Sequence, residues 1–310
     1  MTSPFLSRRQ AIFAGAALPL LPVLGAAPAA AKAEKQGASS PLFNRFALGG
    51  FEITTLLVGT STADKPQEIF GLNASAEDFA AASAAAFLPT DKVQFFFTPT
   101  LVNTGAELVL FDTGLAPEGI VAALAAAGIT PDQVDTVVLT HMHPDHIGGL
   151  QGPGGATFAN ARYVTGAAEH NYWKASPNDA FTAQVAPLND QITYVDDMGS
   201  VTSGITAMMA AGHTPGHMIY MLESEGKSLA ITADTANHYI WSLAKPDWEV
   251  QFDADKAAAA ATRKAVFGML AADKTPFIGY HMPFPALGYV EPAGDGFRYV
   301  PASYQMMLAG

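Results

Sequence analysis

The apolar positions of this chain fall into short runs rich in β-branched and aromatic residues, a composition typical of strands. These runs are residues 51–59, 95–103, 107–114, 135–140, 161–166, 205–212, 218–226, 227–234, 275–281 and 288–300. Thr104 and Gly105 separate two of the runs and predict a hairpin turn. The short apolar run 135–140 predicts a strand that is buried on both faces.

Helices are predicted between these strands in both halves of the chain. One runs from Pro117 to Ala127 before Gly128, one follows residue 166, and a long one spans residues 254–272. The alanine-rich segment 61–90 favours a helix or a lid over a sheet. No repeat period and no linker interrupts the chain, so we predict an α/β fold with one domain, in which two sheets pack face to face with helices outside.

The first residues have the pattern of a secretory signal peptide rather than of a folded element. Arg8 and Arg9 precede an apolar stretch that ends in small residues near Ala31. Pro19 and Pro22 interrupt this stretch, so a membrane anchor, the alternative, is disfavoured. The segment "SRRQAIF" resembles the twin-arginine export signal. We expect a signal peptide at 1–31, a mobile lead-in at 32–45, a domain at 46–310 and a periplasmic or secreted protein.

Charge and cysteine content narrow the classes of partner and of metal ligand. The chain has 28 acidic against 16 basic residues and a net charge of −12, which disfavours nucleic acid and anionic lipid as partners. We therefore expect a small-molecule substrate, no nucleic acid and no membrane contact after signal cleavage, with a homodimer left open. The chain has no cysteine, so any metal must bind nitrogen and oxygen ligands.

The stretch Thr140–Leu150, "THMHPDHIGGL", concentrates groups that bind metals directly after a predicted strand. His141 and His143 are two residues apart and point to the same side of an extended segment, whereas the adjacent Asp145 and His146 must diverge. This divergence favours a second metal beside the first. Three more candidates stand at the ends of other predicted strands, namely His217, Asp234 and His281. We expect two divalent metal ions, Zn²⁺ first, with Mn, Co and Fe left open.

"HMHPDH", followed by "HTPGH", an aspartate at a strand end and a late histidine, resembles the metallo-β-lactamase superfamily and its αββα sandwich. The resemblance implies that His141, His143 and His217 bind one metal. It implies that Asp145, His146 and His281 bind the other, with Asp234 bridging them. It also implies hydrolysis by a hydroxide that bridges the metals, with Asp145 and Asp234 as the catalytic carboxylates.

Longer phrases such as "GGFEITTLLVGT", "VQFDADK" and "GDGFRYVPASY" resemble the methyl parathion hydrolase group. That resemblance implies neutral lactones, aryl esters or organophosphate triesters as substrates. The loop after Asp112 is shorter than in that group, and Asn237 stands where acyl-homoserine lactonases usually carry tyrosine. The alternatives are an acyl-homoserine lactonase that quenches quorum sensing, or an oxidoreductase of the same fold such as an iron sulfur dioxygenase.

The remaining site candidates surround the expected metals. Asp112 either hydrogen-bonds a ligand histidine or caps a turn, and His213 is expected to stabilise the turn of "HTPGH" rather than to bind metal. Aromatic and polar residues on active-site loops are the candidates for a substrate pocket. They are Trp173, Phe181, Asn237, His238, Tyr239 and Trp241.

Overall fold

The structure is a computed structural model that describes residue 34 and residues 37–304. The expected signal peptide, residues 1–31, lies outside the described residues. Residues 41–310 form one unit, which carries all the helices and strands described below. Within the described part of the chain, no helix has the length and the apolar character needed to cross a membrane.

The described residues form eighteen strands and five α-helices. The strands are β1 (Phe43–Leu48), β2 (Phe51–Leu56), β3 (Gly59–Asp64), β4 (Lys92–Phe97), β5 (Thr100–Asn103), β6 (Leu108–Phe111), β7 (Thr136–Val138), β8 (Gln151–Gly152), β9 (Gly155–Ala156), β10 (Arg162–Gly166), β11 (Ile192–Val195), β12 (Ser200–Thr202), β13 (Ile205–Met209), β14 (Met218–Ser224), β15 (Lys227–Ala233), β16 (Phe277–Gly279), β17 (Leu287–Ala293) and β18 (Gly296–Pro301). The helices are α1 (Ala76–Ala85), α2 (Pro117–Ala126), α3 (Pro144–Ile147), α4 (Ala167–Ala175) and α5 (Lys256–Asp273).

Two seven-stranded sheets form the centre of the fold. The first has the order β1-β2-β5-β6-β7-β10-β11, and the second the order β12-β13-β14-β15-β16-β17-β18. Neighbours from β6 to β11 run parallel, as do β15 and β16, whereas the other pairs run antiparallel. Strand β7 therefore lies between two parallel partners, and its residues are all buried, as the short apolar run predicted.

Side-chain alternation along the first sheet assigns its two faces. Phe111 packs against Tyr220 of the second sheet with ring centroids 5.1 Å apart, inside a cluster that joins both sheets. Leu110 points the other way and belongs to a cluster with Ile120 and Leu124 of α2. On the second sheet, Phe267 of α5 packs on Phe277. The core therefore lies between two sheets with helices outside, which confirms the predicted αββα sandwich.

The amino-terminal part of the fold differs from the prediction in three places. Strand β1 begins at Phe43, inside the segment 32–45 expected to be a mobile lead-in, and pairs with β2 over six positions. Residues 59–64 form β3, although segment 61–90 was expected to avoid sheet structure; only α1 fulfils that prediction. The run 95–103 is two strands, because the chain leaves β4 before Thr100 and enters the first sheet as β5.

Strands of both sheets end at the same edge of the sandwich, where the site lies. Strand β6 ends before Asp112, β7 before the "HMHPDH" segment, β15 before Asp234 and β16 before His281. Because parallel neighbours share an edge for their carboxyl ends, these polar residues meet there. Strands β3 and β4 pair with each other outside the two large sheets.

Candidate active site

The "HMHPDH" segment leaves β7 in an extended conformation and then turns into the single-turn helix α3. His143 is the N-cap residue of that helix, and Asp145 and His146 lie within its one turn. The helix end approaches the loop after β6 so closely that a Cβ on Gly148 would lie 2.2 Å from the Leu115 carbonyl oxygen. A Cβ on Gly149 would lie 2.4 Å from the Thr113 carbonyl oxygen. This glycine pair is therefore required by the close contact, and not only by the turn.

Three histidines bring ring nitrogens together in a first group. The Nε2 atom of His213 lies 2.9 Å from Nδ1 of His143 and 3.2 Å from Nε2 of His141. The His141 and His143 nitrogens are themselves 3.1 Å apart. These separations are close to the edge, about 3.3 Å, of a tetrahedron built with zinc–nitrogen bonds of about 2.0 Å.

A second group combines Asp145, His146 and His281, and Asp234 lies between the two groups. The Nε2 atom of His281 lies 3.4 Å from an Asp145 oxygen and 3.3 Å from Oδ2 of Asp234. The same Asp234 oxygen lies 3.4 Å from Nε2 of His213 in the first group, and Oδ1 lies 3.2 Å from Nε2 of His146. Asp234 thus contacts residues of both groups, as expected for a shared carboxylate.

The unpaired atoms of these residues show that the residues present fit two divalent ions. Nε2 of His146 and Oδ1 of Asp234 are buried and only 3.2 Å apart, yet neither makes a hydrogen bond. In the first group, the outward Nδ1–H groups of His141 and His213 donate to Thr140 and Asp253, so that Nε2 lone pairs face one another. Buried ring nitrogens and carboxylate oxygens that converge on one another without an outside hydrogen-bond partner are the arrangement expected of metal ligands.

Asp112 orients two of these histidines through hydrogen bonds. Its Oδ2 atom accepts from Nδ1–H of His146 at 2.8 Å and from the Thr140 hydroxyl at 2.8 Å. That hydroxyl in turn accepts from His141. Asp112 has a φ of 61°, a left-handed conformation that non-glycine residues rarely adopt. Of the two roles left open for Asp112, hydrogen bonding to a ligand histidine is therefore the one that the structure supports.

His213 is oriented by a buried ion pair that the sequence did not reveal. Its Nδ1–H group donates to Asp253 at 2.9 Å, and the other Asp253 oxygen accepts from Arg263 at 2.9 Å. Arg263 also donates to the carbonyl oxygen of Thr235, the residue after Asp234. The arginine therefore connects the supports of two candidate ligands. The only sequence signal was the position of Asp253 in the phrase "VQFDADK".

His281 and Asp145 are held by backbone and tyrosine contacts. His281 donates from Nδ1 to the Phe96 carbonyl oxygen of β4 at 3.0 Å, which leaves Nε2 facing Asp145 and Asp234. The Tyr280 hydroxyl donates to the Asp145 carbonyl oxygen at 2.5 Å. The Tyr280 ring also stacks on His146, with centroids 3.9 Å apart.

The site is electrostatically suited to cations around the second group. Burial lowers the pKa of His281, but the carboxylates of Asp234 and Asp145 outweigh burial and raise that pKa to about 10. Burial raises the pKa of Asp234, yet His281 and His146 hold it well below its usual range. In the first group, burial lowers the pKa of His143 to about 3. Positive charge is thus stabilised beside the carboxylates.

The expectation that His217 binds metal while His213 stabilises a turn is wrong. Both ring nitrogens of His217 are engaged by the backbone: Nδ1 contacts the Ala210 carbonyl oxygen, and Nε2 accepts from the Asp234 N–H. His217 therefore has no free lone pair to offer, and it positions the loop that carries Asp234. His213 takes its place in the ligand group.

Most of the predicted substrate contacts are structural instead. Trp241 is buried and donates to the Ser83 hydroxyl, and His238 stacks on it while accepting two backbone N–H groups. Phe181 lies in the core beneath the first sheet, and Tyr239 stacks on His238 and packs against the core between the sheets. These aromatics fill space between elements, the commoner use of large apolar side chains.

The last two predicted contacts lie beside the ligands. Trp173 packs edge-on against His143, with centroids 5.7 Å apart, and donates its N–H to Glu169. Asn237 is buried and donates from Nδ2 to Oδ2 of Asp234 at 2.8 Å. Both residues thus support ligand side chains, and neither lines the cavity described next.

An apolar cavity of about 430 Å³ opens onto the candidate ligands. His143, Asp145, Asp234 and His281 form part of its wall. Its other lining residues are Ser61, Ala63, Ile69, Phe95, Phe97, Leu115, Pro144, Gln251 and Phe252. Sequence reasoning missed these contacts, although Phe95 and Phe97 occupy alternate positions of one strand and therefore share a face.

Comparison with known proteins places these features in a family. A profile described as the metallo-beta-lactamase superfamily matches residues 98–276, which is more than half of the chain. The N-acyl homoserine lactonase AttM of Azorhizobium caulinodans is 30% identical over 38% of this chain and 48% of the relative. The chain therefore spans about half the length of the curated relatives it matches.

Solved structures resemble most of the chain. AidC, a dizinc quorum-quenching lactonase solved with the product N-hexanoyl-L-homoserine, has a TM-score of 0.76 and 25% identity, covering 85% of this chain and 99% of its own. The hydrolase AbOPH of the beta lactamase superfamily has a TM-score of 0.76 and 26% identity, covering 86% of this chain and 99% of its own. With the profile match, these similarities confirm the family expected from the ligand motifs: the chain belongs to the metallo-beta-lactamase superfamily.

Proposed function

We propose that this protein is a metal-dependent hydrolase that opens the ring of N-acyl homoserine lactones. The observation that carries the proposal is the apolar cavity that opens directly onto His143, Asp145, Asp234 and His281. A neutral lactone with an apolar chain matches both parts of this site. The lactonases AttM and AidC among the similar proteins support the same substrate class. Of our sequence-based hypotheses, the alternative is therefore better supported than aryl esters or organophosphates.

We propose two zinc ions as the cofactors. His141, His143 and His213 would hold one ion, Asp145, His146 and His281 the other, and Asp234 would be shared. When bound, such ions activate water for attack and polarise an acyl oxygen. The buried and unpaired His146 and Asp234 atoms support this assignment, as does the dizinc centre of AidC.

The side chains of the site would position the lactone and move a proton. Asp145 lines the cavity with a partly exposed carboxylate, so it can accept the proton that the attacking water loses and give it to the leaving oxygen as the ring opens. Burial raises the pKa of Asp145, but His146 and His281 lower it below the usual value and keep the group ionised at neutral pH. Phe95 and Phe97 line the cavity beside His281, with ring centroids 5.8 and 5.5 Å from that of the histidine, and exclude water from this side of it.

The apolar wall of the cavity would bind the acyl chain. Ile69, Phe95 and Phe252 line it, together with Leu115 at the loop after β6. Contacts of this kind stabilise a complex by about 25 cal/mol per Å² of apolar surface removed from water. Ser61 and Gln251 are the polar lining residues beyond the ligand groups, and they offer hydrogen bonds to the amide of the substrate.

Hydrolysis of aryl esters, aromatic lactones or phosphotriesters is the second candidate function. The observation in its favour is the aromatic character of the wall, to which Phe95, Phe97 and Phe252 contribute. Such rings stack on aryl groups as readily as they pack on alkyl chains. An iron oxidoreductase is disfavoured, because the site assembles enough nitrogen and oxygen ligands for two ions.

A substrate panel on one zinc-loaded preparation tests the proposal. The panel consists of N-hexanoyl and N-decanoyl homoserine lactone, phenyl acetate, dihydrocoumarin and methyl parathion, each scored by kcat/KM. We expect the homoserine lactones to exceed the other substrates by more than about tenfold, a difference of ~1.4 kcal/mol in transition-state stabilisation. An excess of similar size for the aromatic substrates would establish the second candidate instead.

The variant Phe252→Ala tests the assignment of the acyl-chain wall. Phe252 is 40% exposed, so its removal leaves the fold intact, whereas the lost contact should lower kcat/KM for N-decanoyl homoserine lactone about tenfold. The short N-butanoyl substrate should change less than about threefold. Leu72→Ala is the matched control, because Leu72 is 41% exposed and does not line the cavity. Equal losses for both chain lengths would exclude this wall as the acyl site.

Export by the twin-arginine route is proposed from the sequence alone. The motif around Arg8 and Arg9 supports it, in a segment outside the described residues. The double variant Arg8→Lys, Arg9→Lys should leave folded and active protein in the cytoplasm. Fractionation of cells that express each form gives the result, and undiminished export of the double variant would rule out this route.

A further inference from the structure

Glu169 of α4 is a fully buried carboxylate that accepts four hydrogen bonds. Its Oε1 atom accepts from the Met142 N–H at 2.9 Å and from the Trp173 indole N–H at 2.7 Å. Its Oε2 atom accepts from the Thr214 hydroxyl at 2.6 Å and from the Gly216 N–H at 3.1 Å. Two oxygens offer about four lone-pair sites, so donors occupy the whole carboxylate.

Three of the four donors belong to the two segments that carry the first histidine group, and the fourth, Trp173, lies on α4 itself. Met142 lies between His141 and His143, and Thr214 directly follows His213. Trp173 adds a ring contact to His143, with centroids 5.7 Å apart. The carboxylate therefore joins, through one side chain, the backbones of all three candidate ligands of that group.

The local backbone is built around this junction. A Cβ at Gly216 would lie 2.0 Å from the Glu169 backbone nitrogen, so only glycine permits the loop to approach the helix so closely. Glu169 also lies in the first turn of α4, where the helix dipole favours a negative charge. The carboxylate is thus held in place independently of the ligands that it supports.

We propose that Glu169 is a positioning residue that fixes the separation of His143 and His213, and thereby the metal affinity of the first group. The inference rests on the metal-dependent function proposed above, but not on the identity of its substrate. Glu169 does not line the cavity, so it acts only through the ligand segments. Outer hydrogen-bond partners of metal ligands typically change metal affinity by about 10- to 100-fold when they are replaced.

The isosteric variant Glu169→Gln is the direct test, because it keeps the size of the side chain. One carboxylate oxygen becomes an NH₂ group, which faces two donors and accepts from neither. In the full chain, we expect the zinc affinity of the first histidine group to fall about 10- to 100-fold. The visible absorption of the cobalt-substituted protein should change with it, and kcat should fall while KM changes little.

Glu107→Gln is the matched control. Glu107 is a partly buried glutamate at the opposite end of the first sheet, where it pairs with Arg162 at 3.2 Å. Its replacement should leave zinc affinity and the cobalt spectrum at the values of the natural chain. A Glu169→Gln protein that melts earlier but keeps both of those readouts would overturn the proposal, because the role would then be structural only.

A second pair of variants decides the matter if Glu169→Gln does not fold. Thr214→Val removes one of the four donors, whereas Thr214→Ser keeps the hydroxyl. We expect weaker zinc binding for the valine variant and recovery for the serine variant; equal zinc affinity in both would overturn the proposal. If the natural chain binds cobalt but hydrolyses no lactone, the proposed function fails while these metal readouts still test Glu169.

Discussion

At the scale of single residues, the two histidines of "GHTPGH" show what the spacing alone does not resolve. Both lie in the connection between β13 and β14, and both are buried beside Asp234. The turn between them sends His213 toward His141 and His143, and leaves His217 against the backbone. Which of the two histidines contacts the backbone depends on how the two sheets pack, and the local sequence pattern does not predict it.

Alanine variants at these two positions should therefore behave differently. His213→Ala removes a ligand, so we expect about one bound metal per chain instead of about two, and a loss of activity of at least about 100-fold. His217→Ala should keep both metals and cost about 1–3 kcal/mol of unfolding free energy, because it breaks buried hydrogen bonds. Elemental analysis and urea denaturation measure the two effects; metal loss confined to the His217 variant would reverse the assignment.

The substrate wall shows a second limit of reasoning at this scale. Trp173 and Trp241 were predicted to contact substrate because they are large aromatics on loops near the motif. Trp241 is buried in a hydrophobic cluster with Phe70 and Phe79. The aromatic residues that line the cavity are instead Phe95, Phe97 and Phe252. The sequence shows which residues are aromatic and which lie near the metal motif. Whether an aromatic side chain faces the cavity depends on how distant strands pair.

At the scale of elements, helix α5 was predicted as a long helix over residues 254–272, but its function in the site was not. Arg263 faces inward from the middle of the helix and has no exposed surface. It pairs with Asp253 and donates to the carbonyl oxygens of Thr235 and Pro246. The helix therefore anchors the chain between Asp234 and the start of α5. It does so through a buried arginine, a residue type that is usually found on the surface.

Arg263→Leu should be strongly destabilising, because it leaves Asp253 buried without its charge partner. A broken buried pair costs about 3–5 kcal/mol of unfolding free energy, which urea denaturation measures. The adjacent variant Lys264→Leu is the control: its pair with Asp247 is half-exposed, so we expect a cost below about 1 kcal/mol. Similar costs for both variants would show that Arg263 does not anchor the loops.

The two-stranded sheet of β3 and β4 is the element that sequence patterns described least well. Strand β3, "GTSTAD", has few apolar residues and falls mostly within the segment 61–90 that was predicted as a helix or a lid, yet it pairs with β4 over six positions. It forms a strand because it pairs with β4, which is about thirty residues away in the sequence. Its residues Ser61 and Ala63 line the cavity. Local propensity is a weak guide for such edge segments.

At the scale of the whole molecule, the architecture was predictable because every level of the sequence agreed with it. Alternating strands and helices in both halves gave the sandwich, and polar residues at strand ends gave the edge where the site lies. What was not predictable is the set of contacts between the halves, such as Phe96 on His281 and Glu169 on two ligand loops. These depend on the packing of the completed fold.

Metal binding by the whole protein should release protons. In the metal-free protein, the carboxylates of the site outweigh burial and raise the pKa of His281 to about 10, and the pKa of His146 is also raised. Both rings then hold a proton at pH 7 that a metal must displace, so zinc affinity should fall as the pH falls. Calorimetry in buffers of different ionisation enthalpy should report about two protons released at pH 7. Heats independent of the buffer would contradict this.

The measurement that tests the central claim most directly is the rate of N-hexanoyl homoserine lactone hydrolysis as zinc is returned to the metal-free chain. The structure brings two ligand groups to one cavity, with Asp234 between them. We predict that the rate rises with added zinc and reaches its plateau near about two equivalents per chain. A rate that does not depend on zinc, or a plateau with no lactone hydrolysis above background, would contradict the account.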